Sequence, residues 1–192
     1  MAEDVLDAAA RFGREGVAAA LATVVRTQGS TPRHPGARML ILGDGIVGTI
    51  GGGRIEAEVI ETGRAVLAGA GAARLLRHLG RDLAMCCGGS MDLWIEPVGP
   101  AAAVLAEAVE RRAARRACAL VTDLARGGKR LVDRHACLVA GKAVLEGEEL
   151  AEPVVPPPRL VLFGAGHVAH AVAPLARSVG FEVVEQIGRA HV

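Results

Sequence analysis

The stretch RLVLFGAGHVAHAVAPLARSVGFEVV, residues 159–184, decides the fold class of this chain. An apolar run enters a glycine turn, an amphipathic segment follows and a second apolar run closes it, so the pattern reads strand, turn, helix, strand. Gly164, Gly166 and Ala169 fall in the spacing G-x-G-x-x-A. Glycines at these positions permit the tight turn, and the helix N-terminus that follows offers unpaired N–H groups to a phosphate. The spacing is weak by itself, but here it sits in the setting it requires and predicts the first βαβ unit of a Rossmann-type, doubly wound domain. A nucleotide held at Gly164 and Gly166 is the ligand such a turn implies. Glu185, which has nearly the right separation to hold a ribose hydroxyl, falls within the second strand instead of at its end.

On either side of this stretch the sequence changes character. Upstream, EGEELAEPVVPPPR (146–159) passes from acidic residues to prolines. Proline fixes φ and donates no hydrogen bond, so 146–158 is expected to be a stiff, extended connector. Residues 1–145 then form an N-terminal domain and 159–192 the Rossmann start. A doubly wound sheet needs further strands, yet the chain ends soon after the second one. IGRAHV (187–192) reads as a translated sequencing adapter, so a truncated coding sequence with a foreign tail is expected.

The N-terminal part alternates strand and helix signals. Residues 3–20 read as a helix and ALATVVRT (20–27) as a buried strand. ARMLIL (37–42) and GIVGTI (45–50) flank Asp44 and Gly45, a hairpin signal. RIEAEVIETGRAVLAGAG (54–71) places Ile55, Val59, Ile60, Val66 and Leu67 on one helical face, with Glu56, Glu58, Glu61 and Arg64 toward solvent. SMDLWIEPV (90–98) is a strand, and PAAAVLAEAVERRAARR (100–116) a helix with Pro100 in its first turn. ACALVTDL (117–124) and HACLVAGKAVL (135–145) read as further strands. The fold class is therefore α/β: a mixed N-terminal domain followed by the truncated start of a Rossmann-type domain.

Composition excludes several functions. The 192 residues are 51% hydrophobic with a net charge of +1, and they include no Tyr, three Phe and one Trp. Such a balance gives no electrostatic or stacking basis for nucleic acid. No apolar run approaches the roughly 20 residues of a membrane span. MAEDVLDAAARFGREG (1–16) is acidic and amphipathic where a signal peptide would be basic and then apolar, so a cytoplasmic location is expected. Four cysteines in such a chain read as thiols. Cys118 and Cys137, alone in apolar surroundings, are expected in the core, and the spacing does not suit a structural zinc site.

Three glycine-bearing segments carry candidate chemistry. In GTIGGGR, Gly51, Gly52 and Gly53 lead into a helix, so their N–H groups can turn toward an anion while Arg54 adds charge. A plain strand-to-helix turn explains the same glycines. In GSTPR, Ser30, Thr31 and Arg33 lie in a loop that Pro32 restricts, and an ordinary turn with a capping hydroxyl is the alternative. In CCGG, Cys86 and Cys87 would point to opposite faces of an extended strand, unless Gly88 and Gly89 kink it. Cys87, next to the glycines, is the expected functional thiol and Cys86 the packed one; two buried core thiols are the alternative. Each segment adjoins a strand end, so 29–33, 51–54 and 86–89 are expected to converge on one pocket. Glu56 and Glu96 read as a solvated helix residue and a strand-end charge.

ATVVRTQGSTPRHPGARMLIL (22–42), GTIGGGRIEAEVIE (48–61), MCCGGSMDLWIEPV (85–98) and residues 160–184, taken in this order, resemble the XdhC/CoxI family. These are accessory proteins that mature molybdenum hydroxylases such as xanthine dehydrogenase and carbon monoxide dehydrogenase. The resemblance implies an N-terminal domain built around the three glycine segments and a Rossmann domain continuing for about another hundred residues, the size of a small domain. It also implies binding of the molybdenum cofactor, protection during sulfuration and delivery to an apo molybdenum hydroxylase. A cysteine desulfurase and a homodimer complete the implied partners. Molybdopterin carries a dianionic phosphate and a metal on soft sulfur, which would place Ser30, Thr31, Arg33, Gly51–Gly53, Arg54 and Cys86–Gly89 around it, with Cys87 as the molybdenum contact.

Two other classes stay open. A fragment of an NAD(P)-dependent oxidoreductase rests on G-A-G-H-V-A alone, and a βαβ unit hosts many functions. A protein-interaction scaffold without cofactor would make every glycine segment a turn. No nucleophile, base and orienting group are legible together, so an accessory protein with no catalytic residues is expected.

Overall fold

A computed structural model describes residues 3–186, so the tail reading at 187–192 lies outside the described residues. In chain order the elements are α1 (Val5–Arg14), β1 (Ala20–Gln28), β2 (Arg38–Ile41), β3 (Ile46–Gly48), α2 (Gly53–Ala65), β4 (Ala73–His78) and α3 (Leu79–Leu83). Then come β5 (Ser90–Pro97), α4 (Ala102–Ala113), β6 (Cys118–Asp123), β7 (Lys129–Val132), α5 (Ala136–Ala140), β8 (Val144–Glu146) and β9 (Glu149–Val154). The last three are β10 (Arg159–Phe163), α6 (His167–Ser178) and β11 (Glu182–Gln186).

The first sheet has the order β3-β2-β1-β5-β4 and is antiparallel throughout. Alternation along its strands sends Ala22, Val24, Met39, Ile41, Leu93 and Ile95 to one face, where Ile55 and Val59 of α2 cover them. The opposite face presents Leu21 and Leu40 to Leu6 of α1, Leu105 of α4, and Leu120 and Val154 of the second sheet. Central strands buried on both faces explain why β1 and β5 read as nearly continuous apolar runs. Asp4 caps α1, its carboxylate accepting from the Leu6 amide at 2.9 Å. Gly13 lets α1 approach α4 closely: a β-carbon there would stand 2.8 Å from Ala102 Cβ.

The second sheet, β7-β6-β9-β8, is antiparallel and corrects the expected domain limits. β9 pairs with β6 from Cys118↔Val154 to Asp123↔Glu149, so most of the expected connector 146–158 is strand. Pro153 is tolerated because β8 reaches only Ala151, leaving an edge position with no ladder on that side. Two compact units divide between Val155 and Pro156, which moves the N-terminal limit from 145 to 155 and leaves only Pro156–Pro158 as connector. HACLVAGKAVL, expected as a strand, is α5 followed by β8. His135 Nδ1 accepts the Cys137 amide at the helix start, Gly141 ends it with φ +62°, and Cys137 packs on Ala119, Val121 and Ala151. Cys118 and Cys137 are both fully buried.

The second unit is a βαβ motif. β10 and β11 pair in parallel from Arg159↔Glu182 to Phe163↔Gln186, with α6 between them in sequence. Glu185 pairs with Leu162 inside β11, and Arg177 holds its carboxylate at 3.3 Å.

Candidate functional site

The three glycine segments meet in the N-terminal unit. The Gly89 amide donates to the Ser30 carbonyl at 3.0 Å, and a β-carbon on Gly89 would overlap the carbonyl oxygens of Gln28 and Ser30. Only glycine permits that approach. Gly29 faces the same contact, a β-carbon there standing 3.3 Å from Gly89 Cα. On the other flank the Pro32 ring lies against Gly51, whose φ of +126° no L side chain adopts easily. The remaining pair closes through Met85, whose Cε would stand 3.2 Å from a β-carbon on Gly53, and through Arg54 Nη1, 3.5 Å from the Leu83 carbonyl. Thr31 uses its hydroxyl locally on the Arg33 carbonyl at 3.1 Å, and Arg33 is exposed.

The glycine turn at 51–53 does not present an empty anion cradle. Glu56, expected in solvent, turns back over the first helical turn. Its Oε2 accepts from the Ile50 amide at 3.2 Å, from the Gly52 amide at 3.1 Å and from the Thr49 hydroxyl. An internal carboxylate thus takes the donors that the sequence assigns to an external anion. Glu96 is likewise no strand-end surface charge: it is buried, with Lys129 Nζ 2.6 Å from its Oε1.

The thiols are arranged opposite to expectation. Cys86 is exposed, whereas Cys87 is partly buried and packs against the core cluster of Ile55, Leu79 and Leu83. The reason is register: β5 starts only at Ser90, and α3 ends on Ala84 in the left-handed conformation (φ +52°), which turns the following chain so that Met85 and Cys87 face inward. Loss of solvent around Cys87 pushes its thiol pKa up, and hydrogen bonding and charge from neighbouring Cys86 push it further.

Next to the junction of these segments, at the end of the first sheet, is a cavity of about 370 Å³. Its lining includes Arg26, Gln28, Arg77, His78, Arg81, Asp82 and Ser90 but no residue of 29–33, 51–54 or 86–89, so the segments pack together without forming the wall of the shared pocket expected of them. Arg77 is paired to Glu58 at 2.7 Å and Arg81 to Asp82 at 2.9 Å. Arg26 has no ion-pair partner among the described residues. Asp92, also in the wall, is neutralised by Arg74 through two contacts of 3.0 and 2.8 Å. Sequence reading missed these arginines, because Arg26 lies on β1, Arg77 on β4 and Arg81 on α3, and they form no local motif. Among the described residues no cluster of three or more His, Cys, Asp or Glu could hold a metal ion. No helix among them is long and apolar enough to cross a membrane.

In the second unit Gly164 has φ +100° and Gly166 caps α6 without a side chain. Neither is crowded, so the backbone there is open to a ligand.

Residues 13–80, which hold two of the three glycine segments, match the family model described as the XdhC and CoxI family. Over those residues the chain is similar to the XdhC and CoxI family. An uncharacterized Escherichia coli protein, YqeB, is 35% identical over 185 residues, which cover 94% of this chain and 24% of that protein. A solved structure from Bacillus halodurans, named as a xanthine dehydrogenase, superposes with a TM-score of 0.78 at 21% identity, over 94% of this chain and 61% of that one. The fold of this chain is thus that of a known structure, and the chain spans about a quarter of the curated relative it matches.

Proposed function

We propose that this chain is the binding part of a maturation factor that holds the molybdenum cofactor, protects it during sulfuration and delivers it to an apo molybdenum hydroxylase of the xanthine dehydrogenase or carbon monoxide dehydrogenase type. A cysteine desulfurase would supply the sulfur. The carrying observation is the junction itself: three glycine segments from separate elements pack together beside an arginine-lined cavity, with an exposed thiol on one of them. The family match over residues 13–80 and the name of the B. halodurans structure support the same role.

The residues present fit the group in charge and softness. The cofactor brings a dianionic phosphate and a soft-sulfur metal centre. Arg26 offers an uncommitted guanidinium for the phosphate, while Arg77 and Arg81, each paired with a carboxylate, offer only their remaining N–H donors. Cys86, rather than Cys87, is the thiol proposed to face the metal, since it is reachable while its neighbour is packed. Ser30, Thr31 and Arg33, on the loop that the Gly89 amide contacts, and Gly88 beside it would meet the cofactor from outside that cavity. Gly51–Gly53 position Arg54 and Pro32 instead of cradling the anion. A nucleotide at Gly164 and Gly166 remains the proposed ligand of the βαβ unit. The chain binds and shields; it performs no bond-breaking step of its own.

The test is purification of the chain from cells that make molybdenum cofactor, with molybdenum and pterin measured per protein. Stoichiometric retention by wild type, with a loss of about tenfold or more in Cys86→Ser or Arg26→Ala, is expected. Background levels in wild type refute the reading.

A further inference from the structure

The cavity at the end of the first sheet owes its lining to one irregularity in β1. Val24 pairs with Leu93 and Arg26 with the next residue along β5, Asp92, so Val25 is the extra residue of a β-bulge. Val24 and Leu93 lie on the face that α2 covers. Regular alternation would send Arg26 there as well, but the extra residue puts it on the opposite face, beside Asp92. Register then builds two rows on that face: Arg26, Asp92 and Leu76 in one, Gln28, Ser90 and His78 in the next. The second sheet packs on this face at Trp94, through Leu124 and Leu150, whereas Arg26, Gln28 and Leu76 are exposed.

The polar groups here divide into spent acceptors and unspent donors. Both Asp92 oxygens receive Arg74, at 3.0 and 2.8 Å, and Asp82 accepts from Arg81 Nε at 2.9 Å and from the His78 amide at 2.8 Å. His78 Nδ1 accepts the Arg81 amide at 3.2 Å, which leaves the ring proton on Nε2. Among the described residues neither that Nε2 nor the Arg26 guanidinium, the Gln28 side-chain amide or the Ser90 hydroxyl has a partner. A ligand entering the cavity meets a fixed positive charge and a set of N–H and O–H donors, with no carboxylate free to take a proton from it. That combination selects an oxyanion, with enough oxygens to engage both rows. We infer that the bulge at Val25 builds a site for a tetrahedral oxyanion, in which Arg26 supplies the charge, His78 Nε2, Ser90 and Gln28 bind the oxygens, and sulfate is taken as readily as phosphate. A site tells phosphate from sulfate by a charged acceptor for the phosphate's own proton, and here those acceptors are spent. This deepens the proposed role of Arg26 and rests on that reading for the place alone; the class of anion follows from the lining.

Calorimetric titration of the whole chain with inorganic phosphate, and displacement of the phosphate by sulfate, tests this. Wild type is expected to bind phosphate saturably, with sulfate within about threefold of it. Arg26→Ala is expected to weaken both by about tenfold or more. His78→Asn keeps an acceptor for the Arg81 amide but lacks the Nε2 donor, and is expected to weaken both by about fivefold. Lys142→Ala removes a positive charge outside this cavity and is expected to change them by less than about twofold. Circular dichroism establishes that each variant is folded; should one fail to fold, the two wild-type affinities still decide. No saturable binding by wild type, phosphate bound to the exclusion of sulfate, or equal losses in Lys142→Ala and Arg26→Ala overturns the assignment. Anion binding that depends on Arg26, in a chain that retains no molybdenum, upholds the site and refutes the carrier role. Molybdenum retained by a chain that binds neither anion leaves the carrier role standing and sinks this site.

Discussion

The Gly89 amide donates to the Ser30 carbonyl at 3.0 Å, and this one bond ties the CCGG segment to the GSTPR segment. A β-carbon on Gly89 would overlap two carbonyl oxygens, those of Gln28 and Ser30, whereas Gly88 is open and has no left-handed backbone. Gly89→Ala is therefore expected to lower stability by about 2–4 kcal/mol and Gly88→Ala to change it by less than about 0.5 kcal/mol. Urea unfolding of both variants checks this. Equal losses would mean that the two segments are not held by that close approach.

The four thiols should separate by reactivity. Cys86 is exposed, Cys87 is half-packed with its pKa raised by desolvation and by Cys86, and Cys118 and Cys137 are buried with their thiols also pushed up by burial. Alkylation near neutral pH is expected to show one fast site, lost in Cys86→Ser and kept in Cys87→Ser. Because the Cys87 thiolate forms only above the ordinary range, its rate should still be climbing at a pH where that of a free thiol has levelled. Cys118 and Cys137 should react only on unfolding. Mass spectrometry of partly alkylated protein assigns the sites, and a fast Cys87 would reverse the proposed roles.

The thiol assignment shows where sequence reasoning stops. Strand alternation gives β1, β2, β3 and β5 from local pattern, and the glycine turn in its strand–helix setting gives β10, α6 and β11. Which of two adjacent cysteines faces inward depends on where β5 begins and on the left-handed Ala84, neither of which leaves a local mark. HACLVAGK is too short an apolar run to separate helix from strand without knowing that Ala119 and Val121 lie beneath it. Pro153 hid β9, since a proline is admissible only at an edge that topology alone reveals. That the glycine segments pack together was legible from their strand-end positions, but the shared pocket expected of them is not lined by any of the three; nor was Glu56 filling the turn legible, since its helical position marks it as solvated and only the fold of the turn brings the amides within its reach.

Glu96 and Lys129 form a pair whose side chains are 6% and 1% exposed, linking β5 to β7. Removing one partner strands a buried charge, so Lys129→Met is expected to cost about 3–5 kcal/mol, and adding Glu96→Gln to recover a good part of it. A double-mutant cycle in urea supplies the coupling. An additive result would show that the pair is solvated and of little consequence.

Asp82 gives the acid side of the stability profile a specific origin. The Arg81 guanidinium, then the His78 amide, holds its carboxylate below the ordinary range. A native pKa below the unfolded value means that the contribution is complete above about pH 4, the unfolded range, and fades as pH falls through the lower native value. Asp82→Asn is expected to flatten the acid limb of a plot of Tm against pH while changing the neutral plateau little. An acid limb of unchanged slope would assign the effect to other carboxylates, such as Asp123 and Glu149, which are held low in the same sense.

Glu56 offers the sharpest test of the glycine turn. Its Oε2 accepts from Ile50, Gly52 and the Thr49 hydroxyl, so an external anion can reach those amides only if this carboxylate leaves. Glu56→Ala frees the donors and is expected to lower stability by about 1–3 kcal/mol, with Glu56→Gln losing less because an amide oxygen still accepts. The freed turn then becomes an anion site at a helix N-terminus, where a bound ion stabilises in proportion to RT ln(1 + [L]/Kd). Inorganic phosphate is therefore expected to raise the Tm of Glu56→Ala by more than that of wild type, with Glu56→Gln between them. Equal phosphate shifts in all three proteins would mean that the turn has no affinity for anions even when vacated, and that Gly51–Gly53 serve only to pass the chain from β3 into α2.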